Sequence, residues 1–326
     1  MKICIVKLSA MGDIIHAMVA LEFIKKEIPN VQVDWVVESA FAELLENNPN
    51  IDNILPINLK SIKKRKSEIF NQYRILKNYS KNSYDIVIDA QGLLKSAIVS
   101  RIIGAKIIAG FDKDSIREGI ASIFYNKKVN IAYNENTIER NATVICEPLG
   151  IEVTKEKILN KEKFLFSPSH IENLPNIFNL FVIGSTWESR NYPKEKFVEI
   201  AQELKTETYI VWGSTNEYKK ALWMKEQSKY LHILPKGSLN ELKYVISKSS
   251  LLIGNDTGPT HMAWGLNVPS ITIFGPTPVN RVYVTLINKV VKSHTEINHY
   301  KLDKNDFSIF DIDSKEIVKI AKEIKA

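Results

Sequence analysis

Apolar and polar positions along the chain form short blocks that switch between two periods. Residues 2–6 are a brief, mostly apolar run, of the kind that is buried on both faces of a parallel sheet. Apolar residues then recur at helical spacing from position 14 to position 24, where Pro29 ends the pattern. This alternation of strand and helix predicts a doubly wound parallel sheet. Further strands are predicted at 31–37, 51–57 and 85–88, and further helices at 41–45, 67–77 and 93–103.

The first half of the chain ends with two more predicted helices. An apolar pair, Ile107 and Ile108, precedes a stretch with helical spacing at 115–125. Residues 134–149 are also predicted to be helical, with Pro148 near the end. The charged, proline-containing stretch that follows, 155–175, is the best candidate for a linker.

The same rhythm then starts again, which predicts a second domain of similar architecture. Its strands are predicted at 180–183, 209–212, 231–234, 250–253 and 271–274, and its helices at 194–204, 217–229, 239–247, 262–266 and 314–325. A chain of 326 residues also exceeds the size at which one core is usual. We therefore predict two Rossmann-like domains, 1–160 and 161–326, that face each other across a cleft, with the last helix free to pack back on the first domain.

The composition of the chain indicates which cell compartment to expect and which classes of partner the protein would bind. Hydrophobic residues make up 44% of the chain and charged residues 25%, as in soluble globular proteins. The two cysteines offer no disulfide framework, so a reducing compartment is expected. Neither a signal peptide nor a membrane span is recognisable, which favours the cytosol. A net charge of +7 favours acidic partners, namely phosphates, nucleic acid or an anionic lipid surface.

The most informative motif is Gly-Asn-Asp-Thr-Gly-Pro-Thr-His-Met at 254–262. It follows a predicted strand and precedes a predicted helix, so its backbone N–H groups and the positive end of the helix dipole face outward. The hydroxyls of Thr257 and Thr260 lie beside them, and such a turn suits a phosphate. An ordinary capped loop between a strand and a helix uses the same residue types, and the motif alone does not separate the two interpretations.

The loop at 7–13 carries the first candidate for chemistry. It has a single glycine before the helix, not the three of a dinucleotide fingerprint, which argues against a nicotinamide cofactor. Asp13 would either cap a helix beginning at Ile14 or act as a general base at the cleft. The helix dipole that stabilises the carboxylate also weakens it as a base, although partial burial on substrate binding would offset that effect.

Two further loops follow predicted strands of the second domain. The loop at 184–193 concentrates hydroxyls, backbone amides and Arg190, which suit a pyrophosphate. In the loop at 212–217, Glu217 would accept hydrogen bonds from ribose hydroxyls or favour the helix N-terminus that it begins. The Asp-x-Asp pairs at 112–114 and 311–313 match the spacing of metal-dependent sugar transferases, but neither follows a clear strand, so we expect no metal.

The densest basic run is 60–66, with five positive charges in seven residues. A solvated helix face is the usual meaning of such a run, and the alternative is a grip on phosphorylated lipid at a membrane surface. Nucleic acid is less favoured as a partner, because no aromatic residue is interleaved until Phe70 and no recognition fold is evident.

Three segments, 9–16, 89–96 and 256–261, together resemble the lipopolysaccharide heptosyltransferases of glycosyltransferase family 9. Within that family, residues 35–38 and 115–118 look most like the heptosyltransferase I branch. The likeness runs from residue 1 to about residue 285, with the segments in order and with matching gaps.

The resemblance implies a GT-B fold of two Rossmann-like domains and an inverting transfer that needs neither metal nor other cofactor. The donor is ADP-L-glycero-D-manno-heptose and the acceptor is the Kdo of Kdo2-lipid A, in inner-core lipopolysaccharide biosynthesis. The resemblance also implies a cytoplasmic protein with peripheral contact to the anionic inner membrane, at its cytoplasmic face. Nucleic acid is not an expected partner.

Matching positions in the family imply roles for the donor site and the catalytic base. Asp13 matches the base, Asp256 the residue that holds heptose hydroxyls, and Glu217 the ribose carboxylate. Arg190 falls where close relatives carry a lysine near the phosphates, which keeps the charge but not the geometry. The remaining matches contact the diphosphate or sugar, belong to the same motif, or meet adenine through the backbone: Ser185, Thr186, Thr257, Gly258, His261 and Gly237.

Five basic residues fall at or near positions of the family that meet the phosphates and carboxylates of the acceptor. They are Lys60, Lys63, Lys64, Arg117 and Arg140.

Three other functions compete with this interpretation. Heptosyltransferase II uses the same donor with a heptose acceptor, and residues 35–38 and 91–92 argue against it. A two-domain nucleotide-sugar epimerase shares the architecture but needs no second substrate. A non-catalytic nucleotide- or lipid-binding protein would not need the full set of Asp13, Glu217 and Asp256.

Overall fold

The computed structural model describes residues 1–298 and 302–325 and divides the chain into two units, Met1–Phe166 and Ser167–Ala326. The predicted boundary at 160/161 thus falls inside the first unit. Hydrogen bonds hold the intervening residues there, since Asn48 Nδ2 donates to Phe164 O at 2.8 Å and the Glu162 N–H donates to Glu22 Oε2 at 3.0 Å.

The first unit contains a six-stranded parallel sheet in the order β3-β2-β1-β4-β5-β6. This is the strand order of the doubly wound nucleotide-binding fold, with its switch point between β1 and β4. The strands are β1 (Lys2–Val6), β2 (Gln32–Glu38), β3 (Asn53–Ile57), β4 (Tyr84–Asp89), β5 (Ala105–Phe111) and β6 (Lys127–Val129).

Helices cover both faces of this sheet. They are α1 (Met11–Glu27), α2 (Leu59–Lys64), α3 (Glu68–Tyr79), α4 (Leu94–Ile103), α5 (Thr137–Cys146) and α6 (Lys155–Leu159), with 3₁₀ helices at Ser39–Leu44, Ser80–Asn82, Gly119–Phe124 and Glu147–Leu149. Cys4 and Val6 of β1 share a core with Leu76 of α3 and Val99 of α4. Neighbouring strand residues point to opposite faces, so the fully buried Ile5 belongs to the other core, on the side where α1 and α5 pack together.

The second unit repeats this architecture. Its six parallel strands lie in the order β12-β11-β10-β7-β8-β9, which is the same topology read from the opposite edge. The strands are β7 (Asn179–Val182), β8 (Thr208–Val211), β9 (Leu231–Ile233), β10 (Leu251–Asn255), β11 (Ser270–Phe274) and β12 (Asn288–Lys292).

The helices of the second unit include the last helix of the chain. They are α7 (Lys194–Leu204), α8 (Thr215–Gln227), α9 (Leu239–Lys248), α10 (Gly258–Gly265) and α11 (Ser314–Lys325), with 3₁₀ helices at Glu188–Arg190, Val279–Arg281 and Ser308–Asp311. Ile317 and Ala321 of α11 are buried in the core of this unit, where α11 packs on α7. The sequence analysis allowed the last helix to pack on the first domain. In the structure, α11 buries its apolar face in its own unit.

The prediction of a helix at 115–125 is wrong. A bent loop takes its first part, and only Gly119–Phe124 is helical, as a 3₁₀ helix. Asp112 Oδ1 accepts the N–H groups of Asp114 at 3.1 Å and Ser115 at 2.8 Å, and such a turn competes with helix formation.

Within the described part of the chain, no helix is long and apolar enough to cross a membrane.

Candidate active site

Asp256 is the centre of a buried polar cluster at the carboxyl end of β10, where it is 1% exposed. Its Oδ2 accepts hydrogen bonds from Arg190 Nη2 at 2.7 Å and from Thr277 Oγ1 at 2.9 Å. Its Oδ1 lies 3.0 Å from His261 Nε2. Arg190 Nη2 also donates to the backbone oxygen of Asp256, so two groups of one residue fix the guanidinium.

The surroundings of Asp256 favour its charged form. Burial alone would raise the pKa of this carboxyl group, but the hydrogen bond from His261 and the charges of Arg190 and Arg281 outweigh burial. The pKa of Asp256 is therefore held well below its usual range. Asp256 is a carboxylate at neutral pH, which accepts hydrogen bonds and donates none.

The turn after Asp256 leads directly into α10. Thr257 is the residue before the helix, in extended conformation, and its backbone oxygen accepts the N–H groups of Thr260 at 3.0 Å and His261 at 3.2 Å. The Thr257 hydroxyl makes no capping bond to the helix. The helix begins at Gly258 and not at the predicted position 262, so its positive end lies beside Asp256.

The loop after β7, in the same unit as Asp256, contains buried polar atoms that lack hydrogen-bond partners. Ser185 Oγ, Ser189 Oγ and Arg190 Nε are buried and have no hydrogen-bond partner among the described residues. Buried polar atoms normally have partners, so three such atoms in one loop indicate a place for a polar ligand. Thr186, on the same loop, is exposed.

Glu217 reaches back from the first turn of α8 to the loop before it. Gly213 N–H donates to Glu217 Oε2 at 2.6 Å, and Ser214 Oγ caps the helix by accepting the Glu217 N–H at 3.3 Å. A Cβ atom at Gly184 would lie 2.2 Å from the carboxyl carbon of Glu217. The glycine thus allows this carboxylate to lie against the end of β7, next to Ser185.

Gly237 lies in the exposed loop before α9. A Cβ atom at this glycine would lie 2.7 Å from Glu241 Oε2, which accepts the Ser238 N–H at the start of that helix. Opposite this loop, Trp212 Nε1 donates to Leu234 O at 2.8 Å. The backbone at Gly237 is therefore open to a ligand but closely packed on its inner side.

Asp13, in the first unit, is the third residue of α1 and is half-buried. Its Oδ2 accepts the Ala10 N–H at 3.3 Å, because the helix begins at Met11 and not at Ile14. The carboxylate therefore lies in the first helical turn with one hydrogen bond to its own backbone.

A buried lysine, Lys7, begins the loop that leads into the helix of Asp13. Lys7 is 5% exposed and its Nζ donates to Ala90 O at 2.7 Å. Burial lowers the pKa of Lys7, while the negative charges of Asp13 and Asp89 oppose this decrease. The loop after β1 and the loop after β4 are thus joined beside the candidate base.

Gln91 and Tyr125 extend this connection. Gln91 Oε1 accepts the N–H groups of Leu8 at 3.1 Å and Ser9 at 3.0 Å. Tyr125 Oη donates to Oδ2 of the fully buried Asp89 at 2.7 Å. The bonds of Gln91 join the start of segment 9–16 to segment 89–96, which is distant in sequence, and the Tyr125 bond fixes Asp89 at the end of β4.

Four of the five predicted acceptor residues are exposed: Lys60, Lys63, Lys64 and Arg117. Arg140 is different, because it is 9% exposed and donates to the backbone oxygens of Ser115 at 2.6 Å and Ala132 at 2.5 Å. Its guanidinium lies 5.2 Å from the centre of the Phe111 ring. The structure gives Arg140 a role in holding the loop that precedes Arg117.

Comparison with known proteins decides the family. Residues 72–306 match the model of glycosyltransferase family 9 (heptosyltransferase). The chain belongs to this family.

Individual family 9 proteins match over nearly the whole chain. Lipopolysaccharide heptosyltransferase 1 of Campylobacter coli is 38% identical over 344 aligned positions, covering 99% of both chains. The protein of the same name from Pseudomonas aeruginosa is 32% identical over 286 positions, covering 85% of this chain and 79% of that one. The structure of E. coli heptosyltransferase WaaC with ADP-2-deoxy-2-fluoro heptose is similar, with a TM-score of 0.81, 26% identity and 99% of both chains covered.

These comparisons confirm the predicted family, the predicted α/β GT-B fold class of two doubly wound units, and the prediction of a glycosyltransferase. Across residues 1–298 and 302–325, no group of three or more His, Cys, Asp and Glu side chains could hold a metal ion.

The sequence did not single out two residues of the clusters described above, one in each unit. Thr277 follows β11 in a turn of prolines and glycine, and nothing local indicates that its hydroxyl reaches Asp256. The sequence did contain an indication of Lys7, because a charged residue that directly follows an apolar strand lies close to the carboxyl edge of the sheet, where ligands bind in this fold.

Proposed function

We propose that this chain transfers L-glycero-D-manno-heptose from ADP-heptose to the Kdo of Kdo2-lipid A, with inversion at the anomeric carbon. The observation that carries the proposal is the 38% identity to a lipopolysaccharide heptosyltransferase 1 over 99% of both chains. The two relatives described above both have that name, which favours this acceptor over the heptose acceptor of heptosyltransferase II.

The second unit would hold the donor. The buried Ser185 Oγ and Arg190 Nε are donors for the diphosphate, together with Thr186, Thr257 and the first turn of α10 from Gly258. As the anomeric C–O bond breaks, ADP gains negative charge, which fixed donors and a fixed guanidinium stabilise without reorganisation. The ion pair with Asp256 holds that guanidinium in place.

Asp256 would accept heptose hydroxyls while it also positions Arg190. Its Oδ2 already accepts two hydrogen bonds, from Arg190 and Thr277, whereas Oδ1 accepts one, from His261. Because a carboxylate oxygen accepts about two bonds, Oδ1 has capacity for a sugar hydroxyl. Glu217 would accept bonds from the ribose, and the backbone at Gly237 would meet adenine.

Asp13 would be the general base. It would take the proton of the attacking Kdo hydroxyl while an oxocarbenium-like centre forms on the heptose, in one in-line displacement that inverts the anomeric carbon.

The first unit would also bind the acceptor. The exposed Lys60, Lys63, Lys64 and Arg117 would contact its phosphates and carboxylates, and Arg140 would hold the Arg117 loop. We propose that the protein works in the cytoplasm, in peripheral contact with the anionic inner membrane, without a metal and without nucleic acid as a partner.

Two acceptors offered separately with ADP-heptose test this proposal. We expect Kdo2-lipid A to gain the mass of one heptose and an acceptor that already carries that heptose to gain none. Transfer to the second acceptor alone would indicate heptosyltransferase II. Conversion of ADP-heptose without any acceptor would indicate the epimerase.

A further inference from the structure

One face of the first unit exposes a group of large apolar side chains. Phe70 is 74% exposed, Ile123 69% and Ile120 62%. We name the group the apolar face; its members lie on α3, on α4 and on the 3₁₀ helix Gly119–Phe124, and they are Ile69, Phe70, Tyr73, Leu94, Ile98, Ile120 and Ile123.

The three elements of the apolar face lie side by side. The helix α3 packs on α4, and α4 packs on the 3₁₀ helix. Their inner residues are buried in the unit, with Leu76 and Val99 in one cluster and Ala97 and Ala121 in another. Ile69 and Phe70 each lie three or four positions from Tyr73, Leu94 lies four from Ile98, and Ile120 lies three from Ile123, so within each element the exposed residues share its outer side.

Positive charge surrounds the α3 end of this surface. Residues 59–77 contain seven basic side chains and one acidic side chain, Glu68, which leaves a net charge of seven minus one, or +6. None of the seven takes part in an ion pair within the described part of the chain. Glu118, near the α4 end, accepts the Leu94 N–H at 2.7 Å.

We propose that the apolar face is the surface by which the protein docks on an anionic lipid bilayer. Apolar side chains that enter the boundary between head groups and acyl chains, together with basic side chains beside them, supply the two signals that stable peripheral binding needs. The excess of positive charge beside α3, +6 over residues 59–77, favours anionic head groups over a protein partner of mixed charge.

The inference rests on the proposed function in one respect, because that function supplies a membrane-borne acceptor. α2 carries Lys63 and Lys64 and packs on α3, so docking of α3 would bring these acceptor residues to the bilayer. The apolar side chains thus have a role in location and none in the chemistry.

Vesicle flotation tests the inference with a matched pair of variants. The test variant combines Phe70→Ser with Ile123→Ser, and the control combines Ile177→Ser with Leu286→Ser in the second unit, where these residues are 66% and 89% exposed. On vesicles of phosphatidylcholine with phosphatidylglycerol, we expect the test variant to bind about tenfold more weakly than wild type and the control to match wild type. Wild type should bind less to phosphatidylcholine alone and less at high salt.

A second readout separates docking from function. Transfer to a deacylated, water-soluble acceptor should be equal in wild type and the test variant, which also shows that the variant is folded. No transfer by wild type would contradict the proposed function, while flotation would still decide the docking surface.

Two results would overturn the docking inference. One is flotation of the test variant equal to that of the control. The other is a wild-type protein that does not float but forms dimers, which the test variant separates in sedimentation experiments; the apolar face would then bind a second copy of the chain.

Discussion

Asp256 is a carboxylate whose two oxygens are occupied by a guanidinium, a hydroxyl and an imidazole within its own unit. The side chains of Asp256 and Arg190 are 2% and 11% exposed. Two opposite charges at this depth are costly to separate, because the remaining charge would be buried without a partner. Asp256 therefore holds Arg190, Thr277 and His261 together at the end of β10.

Asp256→Asn should lower the free energy of unfolding by about 3–5 kcal/mol at neutral pH. The folded-state pKa of Asp256 is depressed, so its contribution is complete above the ordinary carboxyl pKa of about 4 and is lost as pH falls below that value. Urea denaturation of wild type and variant should show a difference that shrinks as the pH is lowered from 6 towards 3.

Thr277→Val is the control for that experiment. It removes a neutral donor from the same carboxylate, so we expect a loss of about 1 kcal/mol that changes little with pH. A wild-type advantage over Asp256→Asn that stayed constant or grew in acid would show that the carboxylate does not titrate as described.

Asp13→Asn should abolish transfer but not donor binding. The amide keeps the shape of the side chain and still accepts the Ala10 N–H, but it cannot take the Kdo proton. We expect the transfer rate to fall at least about 100-fold, with the calorimetric Kd for ADP-heptose within about twofold of wild type. Glu27→Gln, at the other end of α1, is the matched control, and turnover retained in Asp13→Asn would remove the base from the mechanism.

The sequence singled out Asp256 and Arg190, but not every hydrogen-bond partner that the structure gives them. Asp256 and Arg190 lie in loops that follow strands, which is a local signal, and the structure pairs them. Strand order brings Thr277 to Asp256 in the second unit and Lys7 to Ala90 in the first, and single-sequence patterns do not encode strand order. For Arg140, the family resemblance implied acceptor contact, which stays a prediction, and the structure adds that its guanidinium donates to the backbone oxygens of Ser115 and Ala132.

At the scale of elements, the close approach of β7 and α8 depends on one glycine. The Cβ of Gly184→Ala would lie 2.2 Å from the carboxyl carbon of Glu217, and a flexible carboxylate can move away. We therefore expect an unchanged melting temperature but donor affinity reduced about tenfold by the loss of the ribose contact, as measured by calorimetry.

Gly213→Ala is the matched control, because its Cβ would lie 3.6 Å from Glu217 Oε2, an ordinary contact. Equal donor affinities for Gly184→Ala and Gly213→Ala would contradict a role for Glu217.

Strands buried on both faces were the easiest elements to predict. Their apolar runs stand out, as in β1 and β10, and parallel pairing follows from the helices between them. The prediction missed β12, an edge strand of sequence Asn-Lys-Val-Val-Lys, because its polar residues hide the pattern. It failed at 115–125 because the Asp112 side chain there competes for backbone N–H groups.

At the scale of the whole molecule, positive charge is concentrated where the acceptor is proposed to bind. Lys63→Gln combined with Lys64→Gln should raise the KM for Kdo2-lipid A about tenfold, since each lysine near an anionic surface contributes about 1 kcal/mol. The KM for ADP-heptose should not change. Steady-state kinetics with each substrate varied in turn would measure both values.

The control has the same net charge and changes two exposed lysines of α11, Lys319→Gln and Lys322→Gln. If both double variants raised the acceptor KM equally, net charge alone would explain the effect and no acceptor surface at α2 would be needed.

Two units of the same topology were predictable from the rhythm of strands and helices, since it restarts once along the chain. The boundary was harder to place, because the linker composition begins before the first unit ends and tertiary hydrogen bonds return residues up to Phe164 to that unit.

The most direct test of the account is transfer without a metal. Wild-type protein is incubated with ADP-heptose and Kdo2-lipid A in the presence of EDTA, and the lipid is analysed by mass spectrometry. Because Arg190, hydroxyls and helix-end amides are proposed to stabilise the leaving ADP, the account predicts a mass gain of one heptose. No gain, or a gain only when a divalent metal is restored, would contradict it.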